Sequence, residues 1–145
     1  MPCWLLYCLN TIQKKGAASI DIEYAGDTFK IERFMATWIA YDNREFSLRE
    51  AINTGANLYD SLLNKYYKRL NAALKGEDKK SLIQAQRSWL SFRDSETKLV
   101  YTIGKTAYSG GGTKEQLTEA YSNLDMLKTR THSLYKHLVR ATQNE

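Results

Sequence analysis

The sequence predicts an all-α fold, a helical bundle of three long helices plus a shorter N-terminal helix. Three observations lead there. Apolar residues recur at three- and four-residue steps through most of the chain. The single proline, Pro2, leaves everything after it free of a ring that would break a helix. No stretch shows the strict alternation of a half-buried strand. At 145 residues, 43% apolar and 26% charged, the chain is one ordinary domain with enough apolar material for a core.

The first helical pattern follows Asp27, a candidate N-cap. Ile31, Phe34, Met35, Trp38, Ile39 and Tyr41 mark its apolar face, and Asp42-Asn43-Arg44 ends it. Ser47 to Glu50 has the S-x-x-E form of a capping box and starts the second helix. Tyr59, Leu63, Tyr66, Leu70 and Leu74 continue it, and Gly76 is a natural stop. Gly55 inside it costs about 1 kcal/mol relative to alanine and marks a kink or a close helix contact.

The third helix has the most regular pattern. Leu82, Ala85, Trp89, Phe92, Glu96, Leu99 and Ile103 form a seam expected to face other helices. Glu96 is its one charged member and requires a partner, with Arg87 and Arg93 close in sequence. Ser109 to Gly112 reads as a flexible connector. Thr113 to Gln116 then fits a T-x-x-Q capping box. Leu117, Tyr121, Leu124, Leu127, Thr131, Leu134 and Leu138 carry the fourth helix. The short connection at Gly76 makes the second and third helices antiparallel neighbours.

Residues 1–20 are set apart from the single domain, 21–145. Cys3 to Leu9 is apolar but short, and Lys14 and Lys15 follow it where an export signal has its basic residues first. Gly16 to Ser19 suits a cleavage site. The segment reads as a signal remnant or appended residues, or else as an arm packed on the domain. Both cysteines, Cys3 and Cys8, lie there, so the domain has no disulfide framework. No apolar run approaches the roughly 18 residues that span a bilayer.

Two segments carry a family resemblance. Ala56-x3-Asp60-x2-Leu63-Asn64-x2-Tyr67-x2-Leu70 is the first. The second and more specific is Ala85-Gln86-Arg87-Ser88-Trp89-Leu90-Ser91-Phe92-Arg93-Asp94-Ser95-Glu96. With the glycine pair before the last helix and Arg130-x3-Leu134, they resemble the LprI-like family of small secreted bacterial proteins over roughly residues 45 to 138. The resemblance implies an α-helical protein, periplasmic or secreted. Some members are described as lysozyme inhibitors. Many members carry a cysteine directly after R-D-x-E; here that position is Thr97, so the chain is a divergent, cysteine-poor member held by helix packing.

The polar motif residues Asp60, Asn64, Tyr67, Gln86, Arg87, Trp89, Arg93, Asp94 and Glu96 read first as an interhelical network that sets register. The alternative is a pocket in which Arg87 and Arg93 recognise an anion. Trp89, Phe92, Tyr66 and Tyr67 read as core aromatics. Tyr108 with Ser109, Gly110, Gly111 and Gly112 is either a plain loop or an exposed finger with an aromatic anchor for a partner.

Catalytic signatures are missing. His132 and His137 are five apart and diverge on a helix, a poor metal pair. H-E-x-x-H, G-x-S-x-G and phosphate-loop patterns are absent. The expectation is therefore no enzyme, no metal and no small-molecule cofactor. The net charge of +5 favours acidic partners. Lys65, Lys68, Arg69, Lys75, Lys79 and Lys80 form a basic run, read as a solvated face rather than a nucleic-acid site. The first functional expectation is an envelope protein-binding module, an inhibitor or immunity factor whose partner is a muramidase or toxin. A basic inhibitor is repelled at long range by basic animal lysozymes, so an acidic or neutral muramidase fits better. The alternatives are a polyanion- or membrane-surface-binding domain using the lysine run, and a structural envelope protein.

Overall fold

The computed structural model describes residues 3–143, with side chains from Ser19 onward. It has four helices: α1 (Cys3–Tyr41), α2 (Glu45–Ala73), α3 (Asp78–Ile103) and α4 (Thr113–Ala141). No strand forms among the described residues. The all-α bundle is as the sequence predicts, but the first helix is not the short one. It runs 39 residues. Asp27 lies inside it and caps nothing; its carboxylate instead accepts a hydrogen bond from Lys65 Nζ at 2.5 Å. Met1, Pro2 and the side chains of Cys3 and Cys8, parts of the expected N-terminal arm, lie outside the described residues.

Among the described residues α2 and α4 make the most extensive contact. They run parallel, since Arg49 meets Gln116 and Tyr59 meets Thr131 as both chains ascend. α1 packs on α2, antiparallel, with Glu32 beside Tyr59 and Glu23 beside Arg69. α3 packs on α4, also antiparallel, with Gln86 meeting Arg130. The predicted α2–α3 pairing is antiparallel too, but the two helices face each other across a groove while α3 rests on α4.

The core follows from this layout. Ile31 and Met35 of α1, Ile52, Tyr59, Leu63, Tyr66 and Leu70 of α2, Leu82 of α3, and Leu124, Leu127, Leu134 and Leu138 of α4 are all buried. Each large apolar side chain so removed from water contributes about 1.5–3 kcal/mol before entropy is counted. Gly55 marks a close helix contact: a Cβ there would lie 2.1 Å from Met35 Sδ. α1 thus approaches α2 where α2 has no side chain.

α3 departs from expectation. Of its predicted seam only Leu82 is fully buried; Phe92, Leu99 and Ile103 are 51–55% exposed. The face turned to α4 is Leu82, Gln86, Trp89, Arg93, Glu96 and Val100, about one residue round the helix from the predicted one. The reason is chemical. Arg130 of α4 needs a partner for its guanidinium, and the Gln86 amide answers it. Rotating α3 to bury Phe92 and Leu99 would turn Gln86 and Arg93 away from α4.

Neither capping box forms. α2 begins at Glu45, with Arg44 as N-cap and no side-chain cap bond. Ser47 instead accepts from Trp38 Nε1 at 3.3 Å, joining the end of α1 to the start of α2. α4 has Gly112 as N-cap, and Gln116 accepts from Arg49 rather than folding back.

Candidate partner-binding surface

The loop between α3 and α4 is built by backbone bonds. Tyr108 N–H donates to Lys105 O at 2.9 Å and Ser109 N–H to the same oxygen at 3.1 Å. The chain then turns through Gly110, Gly111 and Gly112, all with φ between 68° and 94°. Gly111 is required twice over: by its φ, and because a Cβ would lie 2.8 Å from Thr106 Oγ1. The expected flexible connector is therefore a hydrogen-bonded turn packed on its own Thr106. Its effect is to project Tyr108, which is 73% exposed.

The loop walls a cleft of about 430 Å³ with Tyr101, Glu115, Gln116 and Glu119. Gln116 and Glu119 also wall a second cleft of about 660 Å³, shared with Arg49 and Asn53 of α2 and Arg93 and Asp94 of α3. A polar trough thus leads from the glycine turn into the junction of three helices.

A third groove, about 290 Å³, separates α2 from α3. Asp60, Asn64 and Tyr67 form one wall; Gln86, Arg87 and Trp89 form the other. The structure therefore brings six of the nine motif residues to one groove. Arg93 and Asp94 lie in the larger cleft, and Glu96 lines neither.

The bonds these residues make differ from the interhelical ion-pair network expected. Asn64 Nδ2 donates to Asp60 O at 3.0 Å and to its carboxylate at 3.3 Å, both within α2. Arg93 pairs with its neighbour Asp94 at 2.9 Å. Among the described residues Arg87 and Glu96 form no ion pair. The connection between helices is made by Arg130, whose Nε and Nη2 donate to Gln86 Oε1 at 3.0 and 2.9 Å. Two guanidiniums lie near the Trp89 ring, Arg93 Cζ at 5.4 Å and Arg130 Cζ at 5.9 Å from its centroid. Burial holds the Arg130 guanidinium below its ordinary pKa, while leaving it a cation at any physiological pH. Sequence reasoning placed Arg130 in the resemblance and missed its role; it flanks the buried face of α4 among polar residues such as Asn123 and His137, so spacing did not single it out.

The aromatics divide. Tyr66 is core, Trp89 and Tyr67 are half-buried against the core, and Phe92 is exposed. Three of the six residues of the basic run are engaged: Lys65 pairs with Glu23 and Asp27, Arg69 with Glu23, and Lys80 with Glu77. His132 sits beside Tyr24 in an aromatic group with Tyr135. No group of three or more metal-ligating side chains gathers among the described residues. None of the described helices is long and apolar enough to cross a membrane.

The sequence profile of one family, described as lysozyme inhibitor LprI, matches residues 39–134. Neither a curated protein nor a solved structure matches the chain. The matched span begins near the end of α1 and takes in all of α2 and α3 and most of α4, including Gln86, Trp89 and Arg130. The chain belongs to the lysozyme inhibitor LprI family.

Proposed function

We propose that this protein is a binding module of the bacterial envelope, periplasmic or secreted, that inhibits a lysozyme-like peptidoglycan-degrading enzyme by occupying it. It serves as an inhibitor or immunity factor and carries out no reaction of its own. The family supports an inhibitor of that class. The observation that carries the reading here is the α3 edge: Phe92, Leu99 and Ile103 stand exposed on the helix that leads to the projecting Tyr108. An apolar edge beside an aromatic on a fixed turn is the composition of a protein-binding hot spot. The partner-binding residues are Tyr108 and the turn Ser109, Gly110, Gly111 and Gly112. The net charge of +5 selects an acidic or neutral muramidase over a basic one.

The test is titration of a panel of acidic and neutral muramidases. The expected result is a 1:1 complex in light scattering and loss of lytic activity complete at one equivalent. Tyr108→Ala should weaken the complex about thirtyfold, a hot-spot loss of about 2 kcal/mol, with unchanged Tm. Failure of every muramidase to form a complex, with the wild-type chain folded, would dismiss the reading.

A further inference from the structure

α1 sorts its side chains by charge. Between Ser19 and Tyr41 it holds four acids, Asp21, Glu23, Asp27 and Glu32. All four are turned onto the rest of the bundle. Asp21 accepts from the Tyr135 hydroxyl. Glu23 pairs with Lys65 and Arg69, each at 2.6 Å. Asp27 pairs with Lys65, and Glu32 with Lys128 at 2.7 Å. The two cations of the same stretch, Lys30 and Arg33, form no ion pair among the described residues and stand on the outer face.

Around those cations the outer face is aromatic. Phe29, Phe34, Trp38 and Tyr41 recur at three- to five-residue steps, with Phe29 61% and Tyr41 92% exposed. Phe34 and Trp38 hold each other edge to face at 5.5 Å. The hollow among them is lined by α1 alone, with no second element as a wall. A face without walls suits a soft, extended surface better than a knob or a small ligand.

We infer that the outer face of α1, Phe29 to Tyr41, docks on an anionic phospholipid surface. Lys30 and Arg33 meet the lipid phosphates while the exposed rings of Phe29, Phe34 and Tyr41 enter the headgroup region. Charge complementarity fixes the occupant: every acid of the stretch is engaged inward, so the outer face is cationic and aromatic. Such a helix lies in the interface plane. Tyr41 has the apolar body and polar tip that favour headgroup depth, while Trp38 keeps its Nε1 on Ser47 and holds Phe34 in place. From Phe29 to Tyr41 the helix offers a strip of about 18 Å. This face shares no residue with the Tyr108 turn or the α3 edge, so its variants leave those residues in place.

The test is co-sedimentation of the full chain with vesicles of phosphatidylglycerol and phosphatidylcholine, or of phosphatidylcholine alone. Binding is expected to the anionic vesicles and to fall steeply with salt. Lys30→Gln with Arg33→Gln should lower partitioning about thirtyfold, two cations at about 1 kcal/mol each. Phe29→Ser with Phe34→Ser should also lower it, while Phe92→Ser on α3 should leave it unchanged. All these positions are exposed, and an unaltered helical circular dichroism spectrum checks the fold. Absence of binding to anionic vesicles overturns the inference, as does equal binding by both α1 variants. A dimer lost in the α1 variants while vesicle binding persists would assign the face to a second copy and overturn it as well.

Discussion

Arg130 and Gln86 are the bond between α3 and α4: one guanidinium gives two hydrogen bonds, 3.0 and 2.9 Å, to one amide oxygen. The Trp89 ring lies against the same guanidinium at 5.9 Å. A half-buried cation stripped of its acceptor keeps its desolvation cost and loses the compensation. Gln86→Ala should therefore destabilise by about 1–2 kcal/mol, less than a fully buried case because water still reaches part of Arg130. In an Arg130→Met background the same change should cost much less. Urea denaturation of the four proteins closes that cycle; additive losses would show that the two residues do not interact.

Met35 and Gly55 give the second prediction. Gly55→Ala gains about 1 kcal/mol of helix propensity. The new methyl, however, would sit 2.1 Å from Sδ and 2.9 Å from Cγ of Met35, a buried side chain that would have to leave its place in the core. Overpacking of this kind costs about 1–3 kcal/mol. The variant should be less stable by about 1 kcal/mol, a fall of about 3–5 °C in Tm. With Met35→Ala as background, Gly55→Ala should be neutral or stabilising. A stabilising Gly55→Ala in the native background would show that α1 yields at this point.

The two halves of the chain were legible to different degrees, for physical reasons. α2 and α4 have the same face apolar that the bundle buries, so Tyr59, Leu63, Leu70, Leu124 and Leu134 were readable from spacing alone. α3 has an apolar stripe and a polar motif on adjoining faces, and spacing could not say which one the bundle takes. Only the position of Arg130 on α4 decides it. Asp27 read as a cap because acids favour helix starts; its ion pair with Lys65, 38 residues away, is invisible to any local rule. Ser47 failed as a cap because Trp38 takes it, and Thr113 because α4 starts from Gly112 and has Thr113 as its first helical residue. Tyr108 and its glycines were legible as a turn, since three adjacent glycines permit little else; that Gly111 packs on Thr106 was not.

Acid should loosen α1 first. Hydrogen bonding from Lys65, then from Arg69, outweighs burial and holds the Glu23 carboxyl below its ordinary value of 4.5. For Glu32, burial pushes upward, but hydrogen bonds from Lys128 and Tyr59 together prevail and the net shift is downward. A carboxylate whose pKa is depressed by folding stabilises above its unfolded value, and that stability is lost as pH falls through the folded one. The loss should thus begin near pH 4.5 and grow below it. Both groups are partly exposed, so each contributes under about 1 kcal/mol after screening. Hydrogen exchange from pH 6 to 3 should show amides of 19–41 losing protection before those of α2 and α4. Simultaneous loss across all helices would place the acid sensitivity elsewhere.

Tyr66 is the deepest aromatic in the core, with no exposure, and its hydroxyl finds no hydrogen-bond partner among the described residues. Its ring is held edge to face by Tyr24 at 5.4 Å and by Tyr135 at 6.1 Å. Burial pushes its phenol up to about 12. The ring therefore stabilises while the hydroxyl does not. A buried polar group without a partner costs about 1–3 kcal/mol, and deleting it leaves every ring contact in place. Tyr66→Phe should raise stability by about 1 kcal/mol and Tm by about 3–5 °C. The alkaline limb gives an independent check. A phenol whose pKa is raised by folding lends stability that is complete below its unfolded value of 10 and is lost as pH rises toward 12. Wild type should weaken between pH 10 and 12, and Tyr66→Phe should weaken less over that range, the remaining slope belonging to residues such as Tyr135, also pushed up to about 12 by its bond to Asp21. A Tyr66→Phe variant less stable than wild type at pH 7 would mean that the hydroxyl is bonded after all.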